Sequence, residues 1–367
     1  MIPQAKDAAG NIPAPLTPTE TKWKHMIDSG LLNLVMEKLE KRRALPLYQK
    51  MELSLQRINE WYEAFDGNVA VSYSGGKDSE VLLWLVRKLY PDVPAVFCNT
   101  GLEYPEIVRH VKRHDNIITL RPKMPFHKVI ANYGYPMISK KVARGISILR
   151  NPTSRNRNIW RLYDQGVNRF GHPVNGFKVP ARWKFLVDAP FSVSDRCCTI
   201  MKKDPMHRYE RSTGRVQFVG TLATDSKTRE KTYLQHGCNA YDMKTPRSTP
   251  LGFWTEQDIL TCIVNHQIKI ADVYGKIVKD SSTRLFHTTG ARRTGCVFCA
   301  FGIHMDEGPN RFQRMAKTHP RLWTYCMEKL GLRDVFQYIR DYCPDRNIIS
   351  RFHPDPVHKP KQMELFH

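Results

Sequence analysis

Val69-Ala70-Val71-Ser72-Tyr73-Ser74-Gly75-Gly76-Lys77-Asp78-Ser79 runs directly into Glu80-Val81-Leu82-Leu83-Trp84-Leu85-Val86. A β-branched run, a turn of hydroxyls and glycines, and then apolar residues at helical spacing predict a strand, a tight loop and the first turns of a helix. That combination suits phosphate. Adjacent glycines let the backbone approach an anion, and the first N–H groups of a helix point at it along the positive end of the dipole. Ser74 and Ser79 add hydroxyls and Lys77 adds a charge, while Asp78 is either a helix cap or a magnesium ligand. The loop is not a Walker motif, because Lys77 stands inside the Gly-Gly-x-Asp turn and no Gly-x-x-x-x-Gly-Lys spacing exists. γ-Phosphoryl transfer of the Walker type is therefore not the expectation.

Composition bounds the rest. The 367 residues can bury a full core, and 57 Lys plus Arg against 35 Asp plus Glu leave a formal charge of +22. Such an excess favours a polyanionic partner, nucleic acid first and nucleotide second. Nine cysteines are too sparse for a disulfide scaffold. No apolar run reaches about 18 residues, and the first residues lack the apolar core of a signal peptide. A soluble, cytoplasmic protein without a membrane partner is expected.

Residues 1–16 read as a disordered tail. Apolar residues at helical spacing predict an N-terminal helical segment over 17–66, with Asp66-Gly67 as its stop. From 67 to 270 strands and helices alternate: after the loop and its helix come the apolar run Ala95–Cys98, the turn Asn99-Thr100-Gly101, and the strand Ile117–Leu120. The expected fold class is α/β, a doubly wound, mostly parallel, Rossmann-like sheet. Its ligands sit beyond the carboxyl ends of the strands, where both the Ser74–Ser79 and the Asn99–Gly101 turns fall. A C-terminal part over 271–343 carries a Cys-x-x-Cys loop and helices, and 344–367 reads as a partly ordered basic tail.

Four motifs in order make a specific resemblance: Ser74-Gly75-Gly76-Lys77-Asp78-Ser79 with Asn99-Thr100-Gly101-Leu102-Glu103; Cys197-Cys198-Thr199-Ile200-Met201-Lys202; Pro250-Leu251-Gly252-Phe253-Trp254-Thr255-Glu256-Gln257-Asp258-Ile259; and Gly295-Cys296-Val297-Phe298-Cys299. The strand end Phe218-Val219-Gly220-Thr221 with Asp225, Ser226 and Arg229 adds a fifth. Together they resemble the phosphoadenosine phosphosulfate (PAPS) reductase family of the PP-loop ATP pyrophosphatase superfamily, which implies an adenine nucleotide alpha hydrolase-like fold. The resemblance implies that Ser74, Gly75, Gly76 and Ser79 hold pyrophosphate and that Lys77 offsets its charge. It further implies that Asp78 holds Mg²⁺, that Asn99, Thr100 and Gly101 contact adenosine, and that Arg229 pairs with phosphate or sulfate. ATP or a related adenine nucleotide is the implied ligand.

The adjacent pair Cys197-Cys198 and the Cys296-x-x-Cys299 set, about one hundred residues apart, can supply four thiolates to an iron–sulfur cluster or a zinc ion. The resemblance implies a 4Fe-4S cluster, with zinc the second choice. Two adjacent thiolates on one cluster demand an unusual backbone, so Cys238 is a fifth candidate ligand. Cys98, Cys262, Cys326 and Cys343 read as reduced, buried cysteines.

Between Ser139 and Lys184 eleven Lys or Arg stand against one acid, Asp164, with Trp160, Tyr163, Phe170 and Trp183 interleaved. Cations that neutralise phosphates and rings that stack on bases suit single-stranded nucleic acid, the alternative being a solvated basic face whose rings are core. Sulfonucleotide reductases proper attack with a cysteine in a Glu-Cys-Gly-x-His segment, which this sequence lacks. The full ATP-type loop, the cysteine set and the basic surface together resemble the sulfur-transfer enzymes of DNA phosphorothioation. The expected function is cleavage at the α-phosphate in sulfur or nucleotidyl transfer, with a sulfur donor or thiol reductant protein as partner. The alternatives are a reductase of adenylylsulfate or its phosphorylated form, and a non-catalytic nucleotide sensor that binds nucleic acid.

Overall fold

The structure, a computed structural model, describes residues 18–306 and 308–355. The expected tail over 1–16 lies outside these residues, as does the end of the 344–367 segment. The chain forms two compact units, one from 18–123 with Met201–Val297, the other from Met124–Ile200 with 298–355. These units cut across the sequence segments, because the basic stretch 139–184 belongs to the second unit.

In the first unit α1 (Pro18–Asp28), α2 (Leu31–Arg43) and α3 (Leu47–Ala64) lead into β1 (Val69–Tyr73), followed by α4 (Lys77–Leu89), β2 (Ala95–Cys98), α5 (Pro105–Val111) and β3 (Ile117–Leu120). The sheet runs β3, β2, β1, Val216–Val219, Arg247–Ser248, Asn239–Ala240. All neighbours are parallel except the last pair, with Val71 of β1 opposite Ala95 and Phe218. This is the mixed α/β, mostly parallel fold that alternation of strand and helix implies. β1 is central, and Val69, Ala70 and Val71 are fully buried, which is why the strand reads as a continuous apolar run. Ile58 and Trp61 of α3 pack into the same core as Val81, Leu82 and Leu85 of α4. A polar latch fixes α3 as well: the Ser54 hydroxyl donates to the Pro250 carbonyl at 2.9 Å and accepts from Trp254 Nε1 at 2.9 Å, and Lys50 pairs with Asp258 at 2.7 Å.

The second unit is helical, with the short parallel pair Met137–Ile138 and Ala300–Phe301. Its helix Lys140–Arg150 starts at Ser139, whose hydroxyl accepts the Val142 N–H at 3.1 Å. Two of the four rings expected to face nucleic acid are core here: Tyr163 and Trp183 are 5% and 1% exposed. Phe170 stays exposed with the Arg169 guanidinium over it, and Lys140, Lys141, Arg144, Arg155 and Arg157 are exposed. Part of the expected basic tail is core too. Phe352 is fully buried against Trp183 and Phe336, and the buried Asn310 amide donates to the Arg351 and His353 carbonyls. One aromatic anchor and two backbone bonds hold a segment whose composition is otherwise that of a loose end.

Candidate active site

The loop after β1 turns at Gly75, whose φ of +71° is a left-handed conformation and whose Cβ would meet methyls of Ile107 and Val111 at 2.8 Å. Only glycine fits there without moving α5. Ser74 and Ser79 face one another across the turn at 3.0 Å, and the Ser79 hydroxyl donates to the Gly76 carbonyl at 2.8 Å. Three of the loop's N–H groups are paired within the chain: Ser79 Oγ accepts the Ser74 N–H, Ser74 Oγ accepts the Gly76 N–H, and Tyr274 Oη accepts the Lys77 N–H at 3.1 Å. Tyr274 in turn pairs with the Thr294 hydroxyl at 2.7 Å. A cradle for anions is thus occupied by hydroxyl oxygens, the groups that phosphate oxygens most resemble.

Lys77 opens α4 and is 4% exposed. Its Nζ stands 3.4 Å from Asp78 Oδ1 and 3.3 Å from Glu256 Oε1, and Arg292 holds Glu256 from the other side at 3.0 Å. Burial pushes the Glu256 carboxyl up, but the charges of Lys77 and Arg292 outweigh it and hold the group below its ordinary value. Asp78 goes the other way: burial raises it, and the charge of Asp225 adds to that against the opposing pull of Lys77. Apart from its ion pair, Asp78 Oδ1 is buried without a hydrogen-bond partner. A half-compensated carboxylate with a second one near it is the donor set a hard cation takes, so these residues fit Mg²⁺.

Asp225 accepts from Arg229 and, at 3.0 Å, from Arg293. The expected catalytic Arg229 is therefore tied to the carboxylate that acts on Asp78. Gly220, just past the strand Val216–Val219, passes so close that a Cβ there would come within 3.1 Å of the Asp78 carbonyl oxygen. In the neighbouring turn the Thr100 N–H and hydroxyl both donate to Glu103, at 3.0 and 2.8 Å, and Asn99 Oδ1 accepts the Gly101 N–H at 3.2 Å. The Thr100 side chain shapes this turn from within, while Asn99 is the more accessible of the two.

The cysteines of the expected ligand set are shared out. Cys238 and Cys296 belong to the first unit, Cys197, Cys198 and Cys299 to the second. Cys238 is buried in the apolar core with the Tyr233 hydroxyl 3.5 Å away, and burial pushes its thiol up. That environment keeps a thiol neutral, the opposite of what a thiolate ligand needs. Cys98, read as a lone core cysteine, is half-buried with its thiol donating to the Met201 carbonyl at 3.1 Å. Burial and the charges of Glu103 and Cys296 push it up to about 11. Cys262, Cys326 and Cys343 are buried and reduced.

Sequence reasoning did not name Glu256, Asp225, Tyr274, Thr294 or Arg293 as site residues. Glu256 and Asp225 stand within motifs already noted, so a signal existed for them. Tyr274, Thr294 and Arg293 lie in no motif, and only the fold brings them to the loop.

Two proteins of Methanocaldococcus jannaschii, named Uncharacterized protein MJ0973 and Uncharacterized protein MJ0066, are 22% and 24% identical over 81% and 72% of this chain. The chain spans only 54% and 42% of their lengths, about half of each. Among solved structures, the phosphoadenylyl-sulfate (PAPS) reductase of Candida auris, in its phosphate complex, is similar over 62% of this chain and 91% of that one, with a TM-score of 0.34 and 12% identity. The model of the phosphoadenosine phosphosulfate reductase domain matches residues 68–133 and 155–301. That match takes in more than half of the chain, from the strand before the glycine loop to just past the second cysteine motif, and the chain belongs to the phosphoadenosine phosphosulfate reductase domain family.

Proposed function

We propose that this chain binds ATP or a related adenine nucleotide at Ser74–Ser79 and cleaves it at the α-phosphate, releasing pyrophosphate in sulfur or nucleotidyl transfer. The observation that supports this most is the burial of Lys77 between Asp78 and Glu256 at the mouth of the glycine loop. In this reading the Gly76 and Lys77 N–H groups exchange the Ser74 and Tyr274 hydroxyls for phosphate oxygens. Ser74, Gly75, Gly76 and Ser79 line the leaving pyrophosphate, and Lys77 Nζ offsets the charge that develops on it. The acceptor's nucleophile bonds to the α-phosphorus, and the α–β bridging oxygen leaves with the pyrophosphate. Asp78, with Asp225 close by, would hold Mg²⁺, which neutralises phosphate charge when bound. Arg229, held by Asp225, would steady a phosphate or sulfate oxygen.

A polymeric acceptor fits the exposed cations at Lys140, Lys141, Arg144, Arg155 and Arg157, with Phe170 left to stack. A thiol-ligated cluster at the Cys197-Cys198 and Cys296-x-x-Cys299 motifs stays part of the reading on the sequence pattern, and iron and zinc analysis of anaerobically purified protein tests it. A second reading, reduction of a sulfonucleotide to sulfite, is favoured by the family itself. Against it, Cys326 and Cys343, the cysteines beyond the last motif, are 0% and 1% exposed and present no thiol for attack. Lys77→Ala tests the first reading: pyrophosphate release from ATP is abolished, and release at the unchanged rate refutes the role. Sulfite formed from adenylylsulfate without ATP selects the second reading.

A further inference from the structure

Directly behind the glycine loop three side chains converge that the nucleotide chemistry does not use. Glu80 follows Ser79 in the first turn of α4, His110 lies in the last turn of α5, and His114 stands four residues on, in the bend just past α5. Glu80 Oε2 is 2.8 Å from His110 Nε2, Glu80 Oε1 is 3.2 Å from His114 Nε2, and the two Nε2 atoms are 3.4 Å apart. Among the described residues this is the group of three His, Cys, Asp or Glu donors found close enough together to share one ion.

We propose that Glu80, His110 and His114 form a binding site for a divalent first-row transition ion, with Zn²⁺ as the best fit. The donor set is the first reason: two neutral imidazoles and one carboxylate are a mixed N/O set that Zn²⁺ takes in open three-ligand sites, whereas Mg²⁺ and Ca²⁺ prefer oxygen alone. Spacing is the second. Ligands at about 2.0–2.2 Å from a zinc-like ion lie roughly 2.8–3.5 Å from each other in octahedral to tetrahedral geometry, and the three observed separations fall in that range.

Burial is the third reason. Glu80 and His110 are 4% and 3% exposed, so an ion there is shielded from water on most sides. His114, with its side chain 24% exposed, leaves a route in and room for a fourth, exchangeable ligand. The carboxylate also has an outer partner, the Tyr73 hydroxyl, which donates to Glu80 Oε2 at the end of β1 and so fixes the group that would bind.

The consequence lies in the loop above. Gly75 rests against Ile107 and Val111 on α5, the helix that carries His110, while Glu80 belongs to the helix whose first turn is the loop itself. An ion joining Glu80 to His110 and His114 therefore ties α5 to the start of α4 and fixes the floor of the phosphate cradle. It also adds positive charge beneath a site for anions.

Titration of the chelator-stripped, full-length protein with Co²⁺ tests the proposal, since cobalt reports its donors in its visible spectrum. One equivalent is expected to show ligand-field bands without thiolate-to-cobalt charge transfer, which separates it from metal on the cysteine motifs. His114→Ala is expected to lose that equivalent and keep any thiolate-bound cobalt. Tyr73→Phe, which keeps all three ligands and the packing, is expected to weaken Co²⁺ binding about 10- to 100-fold. Equal uptake by wild type and His114→Ala, or cobalt held by wild type through thiolates alone, would overturn the site and leave the trio as a hydrogen-bonded network. Should His114→Ala not fold, Tyr73→Phe binding Co²⁺ as tightly as wild type overturns it instead.

Discussion

Gly75→Ala separates what the glycine loop needs from its backbone and what it needs from its packing. Gly75 has φ +71°, and an added Cβ would stand 2.8 Å from Cγ2 of both Ile107 and Val111. Gly101, in the neighbouring turn, has nearly the same φ of +73°, yet its Cβ would meet nothing within 4 Å. The left-handed backbone costs an L-residue about 1–2 kcal/mol at either position. At Gly75 two methyls on α5 must also move, and overpacking of this kind adds about 1–3 kcal/mol. Gly75→Ala should therefore destabilise the first unit by about 2–5 kcal/mol in total and Gly101→Ala by about 1–2 kcal/mol. Urea unfolding of both variants, followed by intrinsic fluorescence, gives the two losses side by side. Nucleotide titration should show Gly75→Ala binding ATP more weakly, because α5 has shifted under the cradle. Equal losses for the two variants would refute the packing of the loop on α5, since only the shared backbone cost would then remain.

Tyr274→Phe removes the hydroxyl that accepts the Lys77 N–H, leaving a buried donor unpaired at about 1–3 kcal/mol. If phosphate oxygens take that place, saturating ATP narrows the deficit in melting temperature against wild type, and an unchanged deficit counts against the exchange. Asp306 belongs to the second unit, where burial pushes its carboxyl up but hydrogen bonds and charge from Arg311 bring it below the ordinary value of 3.8. A depressed carboxyl stabilises the fold above its unfolded pKa, and that stability is lost as pH falls through the folded value. Melting temperatures of wild type and Asp306→Asn should thus differ near neutral pH and converge in acid below the ordinary carboxyl range. A gap that widens on acidification would reverse the sign and defeat the assignment.

The strand, loop and helix from Val69 to Val86 were legible because each signal is local: β-branching, two glycines, a 3.6-residue apolar period. The parallel sheet followed from alternation, and Gly75 and Lys77 stand where those patterns put them. What escaped notice depends on contacts far apart in sequence. Glu256 reaches Lys77 across 179 positions, and Tyr274 caps the Lys77 N–H across 197. A lone Tyr has no pattern that foretells this. The basic stretch stays open for the same reason: composition cannot tell a ring that stacks on a base from one that is core, and Tyr163 and Trp183 are core. Cys238 read as a spare ligand beside His236-Gly237, whereas its neighbours in space are Tyr233 and apolar side chains. Ser350-Arg351-Phe352 carries the composition of a tail, yet the buried Phe352 and the Asn310 bonds to the Arg351 and His353 carbonyls hold it in place.

The most direct test is the identity of the products. The anaerobically purified chain is incubated with Mg²⁺ and ATP labelled at the α- and γ-phosphates, with and without DNA, tRNA and a cysteine-derived sulfur source, and labelled species are separated. Cleavage at Ser74–Ser79 as proposed yields AMP, free or acceptor-bound, together with pyrophosphate, and Lys77→Ala yields neither. Release of ADP and inorganic phosphate, or pyrophosphate from Lys77→Ala at the wild-type rate, would contradict it.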